Sequence, residues 1–204
     1  MAIVISGGGA AAYGYYLGGF GGKVPFVINP DDINSTDNYY ANNAILSMPV
    51  DLTPLANSIT LTLSNNCFQV WSDYSFINSL TTFDASVQSP VGNNSQTTCT
   101  SLTGLVLPQY IVNVTLAASS TLNDYLKVTQ QNLINISNIN LSGCALDQQS
   151  ANNQIYSLYD LVTNKPYVGT PGTLDLSGGT NQAPTAAYEK DSLILDYGWT
   201  ILTN

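Results

Sequence analysis

The groups able to do chemistry in this sequence are few, and nearly all are acidic. Twelve Asp and one Glu (Glu189) stand against four lysines, Lys23, Lys127, Lys165 and Lys190, with no Arg and no His. The absence of His excludes Ser-His-Asp and Cys-His nucleophilic arrangements. Paired carboxylates for glycoside hydrolysis remain open. Asp175 falls on an expected strand face, and Asp31, Asp32, Asp37 and Asp84 are the other candidates. In a chain this rich in Asp, solvated loop carboxylates are the simpler account. Asp31, Asp32, Asn34 and Asp37 offer oxygens of the kind calcium takes, but the Gly and the distal Glu of an EF-hand are missing. Cys67, Cys99 and Cys144 are odd in number and match no metal spacing. They read as buried, reduced, structural thiols, with one disulfide between two of them as the alternative. The glycines at 7–9 and 18–22 are followed by no Lys-Ser/Thr and framed by no βαβ unit, so they are not read as a phosphate cradle. The expectation is a non-enzymatic chain with no catalytic residue, no cofactor and no metal.

Composition narrows the partners. Charged residues make up 8% of the 204, far below the roughly 25% of ordinary soluble domains. The net charge of −9, with four scattered lysines, argues against nucleic acid and against an anionic membrane surface. No run approaches the roughly 18 apolar residues of a membrane span. Met1 to Ile5 is apolar but short, lacks a preceding cation and is interrupted by Gly7, so a signal peptide is not expected.

The elements that would position these groups repeat. Ile136 to Leu146 reads I-S-N-I-N-L-S-G-C-A-L, with apolar residues at Ile136, Ile139, Leu141 and Leu146 and Cys144 in the small polar slot. Ile59 to Leu63 alternates as a strand with one buried face should. Strand positions Leu61, Phe83, Leu105 or Val114, Ile139, Leu174 and Trp199 recur at 22 to 35 residues. Ser150 to Asn164 reads as a helix capped by Ser150, with Ile155, Leu158, Tyr159 and Val162 on its buried face. Ala186 to Tyr197 reads as a second helix, with Tyr188, Leu193 and Leu195 as candidates for burial. Thr173 to Gly179 and Trp199 to Leu202 read as strands. Such units cannot bury their apolar sides alone, so the expected fold is an α/β repeat: a short parallel solenoid of strand plus helix or irregular return. A β-sandwich over residues 46–130, followed by a small α/β region, is the rival reading.

Residues 1–45 differ from residues 46–204. Ala2 to Gly22 is mostly Gly, Ala and Tyr, too rich in Gly for a stable isolated helix. Tyr13, Tyr15, Tyr16 and Phe20 present large apolar faces on a pliable backbone. Residues 1–45 are therefore read as an extended anchor arm that orders in a groove of a partner or in a bundle of its own copies, with a flexible tail as the bland alternative. Val24 to Asn29 reads as a short strand and Pro30 to Asn43 as a connector.

At Ile136 to Leu146 the chain resembles leucine-rich-repeat proteins. Cys99 to Pro108, C-T-S-L-T-G-L-V-L-P, looks like the repeats of bacterial surface proteins of that class. Gly172 to Asn204, containing L-D-L-S-G-G-T-N-Q-A-P-T and then G-W-T-I, is similar to the terminal repeat of leucine-rich-repeat modules from bacteriophages and environmental bacteria. The resemblance covers residues 99–204 well, 46–98 loosely and 1–45 not at all. It implies a recognition or structural module on a virion or cell surface. The expected role is thus a virion structural protein of a bacteriophage (a spike, fibre or decoration component). It would contact other virion proteins through residues 1–45 and a host surface protein or glycan through the repeats, with homo-oligomerisation open. A bacterial surface or secreted adhesion module, located extracellularly, is the alternative.

Overall fold

Each unit of this chain carries an outward–inward–outward triplet, which suits a three-residue strand with one buried face. A computed structural model describes residues 3–5, 26–28, 35–41, 48, 51–66, 68, 70–88 and 99–204. β1 (Ile3–Ile5) and β2 (Phe26–Ile28) pair in parallel as a two-stranded sheet. β3 (Asp37–Tyr39), β4 (Thr60–Thr62), β5 (Thr82–Asp84), β6 (Asn113–Thr115), β7 (Asn138–Asn140), β8 (Thr173–Asp175) and β9 (Thr200–Leu202) form one seven-stranded sheet in sequence order. Every pairing in it is parallel. The rival sandwich over 46–130 is therefore excluded: β4, β5 and β6 lie side by side and parallel.

The chain is an α/β repeat-like parallel solenoid. In-register central residues are Asn38, Leu61, Phe83, Val114, Ile139, Leu174 and Ile201, spaced 22 to 35 residues apart. Three expectations need correction. The sheet begins at β3, inside the stretch read as a connector. Leu105 is not a sheet position: Leu102, Leu105 and Leu107 are buried in a return segment whose Val106 bridges Asp73. Trp199 is buried, but Ile201 takes the strand position opposite Leu174.

α1 (Gln148–Asn164) returns the chain from β7 to β8. Its cap is Asp147 rather than Ser150, because the Asp147 carboxylate accepts from the Ser150 backbone N–H at 2.7 Å. Its buried stripe is Ala151, Gln154, Ile155, Leu158 and Leu161, while Tyr159 and Val162 pack partly buried against the core. α2 (Ala187–Leu195) returns the chain to β9 and buries Ser192 and Leu193. Tyr188 and Leu195, expected inside, are 71% and 80% exposed. Among the described residues, α2 packs on α1 and β9, and most of the surface of Tyr188 and Leu195 stays outside that packing.

Two internal columns lock coil to coil. The first is a backbone turn two residues after the inward apolar residue that follows each strand. Asn65, Val87, Ala118, Gly143 and Gly178 all hold positive φ, from 52° to 72°. Each N–H points along the stack: Asn65 to Ser86 O, Val87 to Ala117 O, Ala118 to Ser142 O and Gly143 to Ser177 O. Gly178 faces the residues that follow β9, where its N–H donates to the Asn204 side chain at 2.6 Å rather than to a backbone carbonyl. The Asn204 amide also donates to Asn181 O, so it closes the column.

Left-handed backbone costs an L-residue about 1–2 kcal/mol, most for a β-branched one. Val87 bears that cost without deep burial. Val87→Asn, matching Asn65 in the neighbouring coil, is expected to stabilise the chain by about 0.5–1 kcal/mol, a rise in melting temperature of about 1–4 °C. Thermal denaturation checks it.

The second column is buried and polar: Asn66, Gln88, Ser119, Cys144 and Asn181. Asn66 Nδ2 donates to Leu63 O in its own coil and to Tyr40 O in the preceding one. Gln88 Nε2 donates to Ala85 O and Leu63 O in the same way. Asn181 Nδ2 donates to Leu176 O and Leu141 O, and its Oδ1 accepts from Leu146 N. Cys144 Sγ donates to Leu116 O at 3.4 Å. Buried backbone groups need partners, and these side chains supply them where each strand ends and sheet pairing stops.

Cys99 and Cys144 are free and buried, and Cys67 lies outside the described residues. Burial pushes the Cys99 thiol up to about 12 and the Cys144 thiol up to about 11. A thiol ordinarily titrates near 9.0, and the unfolded chain ionises there first. The stability these groups contribute is therefore complete below pH 9 and is lost as pH rises through the folded values. The urea midpoint is expected to fall above pH 9. Near neutral pH, peptide mapping after alkylation should find both thiols unlabelled in the native chain and labelled in denaturant.

Candidate binding face

The residues flanking each inward strand residue build the outer surface of the sheet. One row runs Asp37, Thr60, Thr82, Asn113, Asn138, Thr173 and Thr200. The next runs Tyr39, Thr62, Asp84, Thr115, Asn140, Asp175 and Leu202. Parallel pairing sets successive members about 4.8 Å apart. The first row is partly cross-linked. Asn138 Nδ2 donates to Asn113 Oδ1 at 2.7 Å, and Asn113 Nδ2 donates to Thr82 Oγ1 at 3.2 Å. Such bonds fix amide orientation, so these side chains present donors and acceptors already in place.

The second row is oriented by the turns that follow the strands. Asp84 Oδ1 accepts from Ser86 N at 2.9 Å. Asn140 Oδ1 accepts from the Ser142 N–H and hydroxyl at 2.9 and 2.7 Å. Asp175 Oδ1 accepts from the Ser177 N–H and hydroxyl at 2.9 and 2.6 Å. One oxygen of each group is thereby committed to its own turn. No Lys lies in either row, so the face offers hydroxyls, amides and carboxylates.

The candidate carboxylates do not converge here. Asp84 on β5 and Asp175 on β8 are three strand spacings apart, about 14 Å, beyond the roughly 5–9.5 Å of glycosidase pairs. Asp37 sits on β3, while Asp31, Asp32 and Asn34 lie outside the described residues, as do Tyr13, Tyr15, Tyr16 and Phe20. Among the described residues no group of three His, Cys, Asp or Glu side chains is placed to hold a metal ion. Among them, too, no helix is long and apolar enough to cross a membrane.

Five tyrosines that could offer aromatic area to a partner are spread over α1 and the return segments. Tyr110 and Tyr156 are exposed, and Tyr125 is half-buried. Tyr159 packs edge-on between Tyr188 and Tyr197, and Tyr167 donates its hydroxyl to Ile136 O at 2.7 Å. None of these lies in the two rows. Asp175 lies on the strand face where the sequence places it, and the threonines 60, 62, 82, 115, 173 and 200, not singled out there, line the same face. Their signal was present: each flanks an apolar strand residue.

Fold and face together define the class, a repeat-like parallel solenoid with a polar strand surface whose charged members, Asp37, Asp84 and Asp175, are all acidic. No family model matches the chain, and neither a curated protein nor a solved structure was found to be similar to it.

Proposed function

We propose that this chain is a non-enzymatic structural protein of a bacteriophage particle, a spike, fibre or decoration component of leucine-rich-repeat type. Residues 1–45 hold it to other virion proteins, and the solenoid is the recognition module. The observation that carries the reading is the strand surface: two fixed rows of Thr, Asn and Asp on a continuous seven-stranded sheet. Surfaces of repeat folds suit binding because the core fixes their geometry while the outward side chains are free to vary. The polar column supports the leucine-rich-repeat assignment, since Asn66 and Cys144 fall three residues after the inward Leu63 and Leu141, the Asn/Cys slot of that pattern. The phage setting rests on the similarity of Gly172 to Asn204 to phage-type terminal repeats.

The test compares purified particles carrying the full chain with particles made with a chain lacking residues 1–34, which keeps β3 and the buried Tyr40 in place. The full chain is expected in the particle, and the shortened chain is expected folded but unincorporated. Normal incorporation of the shortened chain overturns the anchor. Absence of the full chain from particles, with recovery from envelopes of uninfected cells, favours a bacterial adhesion module instead. The stretch Cys99 to Pro108, similar to bacterial surface repeats, is what keeps that second reading.

A further inference from the structure

The strand surface is one-sided in charge. Asp37, Asp84 and Asp175 stand on it, and the cations among the described residues lie elsewhere. Lys127 is in a return segment, Lys165 at the end of α1 and Lys190 in α2. The whole chain carries −9. The face therefore repels an anionic partner and draws a cationic one.

Asp84 and Asp175 stand in the same row. Each commits Oδ1 to its own turn. Among the described residues, Oδ2 of each takes no hydrogen bond and no ion pair, so both remain open as acceptors. Thr115 and Asn140 come between them. Asn140 commits its Oδ1, which leaves Nδ2 as a donor beside the Thr115 hydroxyl. A carboxylate, a hydroxyl, an amide and a second carboxylate thus follow one another along the stack.

The interval between the carboxylates selects the form of the partner. Three strand spacings set them about 14 Å apart. An extended chain rises about 3.3–3.4 Å per residue and turns alternate side chains to one face. Its residues i and i+4 therefore share a face at about 13–14 Å. A helix fits poorly, because its same-face pairs i, i+7 and i, i+11 lie about 10 and 16 Å apart. A polyproline helix places i+3 and i+6 at about 9 and 19 Å. Residue i+2 of an extended partner falls between Thr115 and Asn140, whose free groups can bond its main chain. We propose that this row docks an extended protein segment carrying lysine or arginine at i and i+4. The proposal rests on the strand surface being the recognition face and not on the phage setting.

The experiment is fluorescence polarisation of labelled nine-residue serine–threonine peptides against the full chain at low salt. One peptide carries lysine at i and i+4. A second, of the same composition, carries lysine at i and i+2, and a third carries glutamate at i and i+4. The first is expected to bind at least about threefold more tightly than the second, and the third not to bind measurably. Added salt should weaken the first. Asp84→Asn and Asp175→Asn keep the Oδ1 that serves the turn, as Asn140 does in the same row. Each is expected to weaken the first peptide about two- to fivefold, and both together about tenfold, while melting within about 1 °C of the parent. Thr115→Trp obstructs the row between them and is expected to abolish binding. No binding of the first peptide overturns the proposal, as does equal binding of the second. Binding lost in Thr115→Trp but kept in the double variant overturns the basic partner and leaves the strand surface as a binding face. Binding kept in all the variants removes the strand surface as well.

Discussion

Asn181→Leu is expected to destabilise the chain by about 3–5 kcal/mol, although it replaces a polar residue in the core with an apolar one of similar size. Asn181 is buried and serves three backbone groups: Leu141 O, Leu176 O and Leu146 N. Leucine serves none of them. A buried backbone group left unpaired costs about 1–3 kcal/mol, and some of that is recovered by local relaxation. The gain from burying extra apolar surface is smaller, about 1–2 kcal/mol at most. Urea denaturation followed by circular dichroism measures the difference. A loss below about 1 kcal/mol would mean that the polar column is not what ties β7 to β8.

Gly172→Ala should be comparably damaging for a steric reason. A Cβ at Gly172 would stand 1.9 Å from Ser137 O and 2.8 Å from Ser137 C. Both atoms are backbone, so no rotamer change relieves the clash. Moving the strand away breaks Thr173 N–H to Ser137 O, and with it the register of β8 on β7. The expected cost is about 3–5 kcal/mol, or failure to fold. Gly178→Ala is the control. Its Cβ would meet nothing nearer than 3.7 Å, and only its positive φ of 72° opposes the change. About 1 kcal/mol is expected there. If the two variants melt alike, close packing at Gly172 is not the reason for that glycine.

The parallel sheet was legible because its inward residues alternate with polar ones and recur at coil length. Ile139, Leu141 and Cys144 describe a whole coil: a strand centre, an inward residue and a member of the polar column. Leu105 misled because burial alone does not distinguish the sheet side of a coil from its return side. Leu102, Leu105 and Leu107 alternate as a strand does, yet they line the return. Asn38 misled in the opposite sense. It occupies an apolar slot, and its Nδ2 donates to Ser58 Oγ at 2.7 Å, a pairing that no local pattern announces. Tyr188 and Leu195 look buried from helical spacing, but burial also needs a neighbouring coil, which periodicity cannot count. The threonine rows were readable from the same alternation as the core.

Asn204 gives the stack a mechanical direction. Every cross-coil bond described above joins one coil to its immediate neighbour, and among the described residues none of them straps the solenoid along its length. A pull on the C-terminus therefore loads the Asn204 latch before anything else. Once it yields, β9 leaves β8, and the load passes to the β7–β8 pairing with its Gly143 and Asn181 bonds. Extension should proceed coil by coil, with a sawtooth of similar force peaks in place of a single rupture.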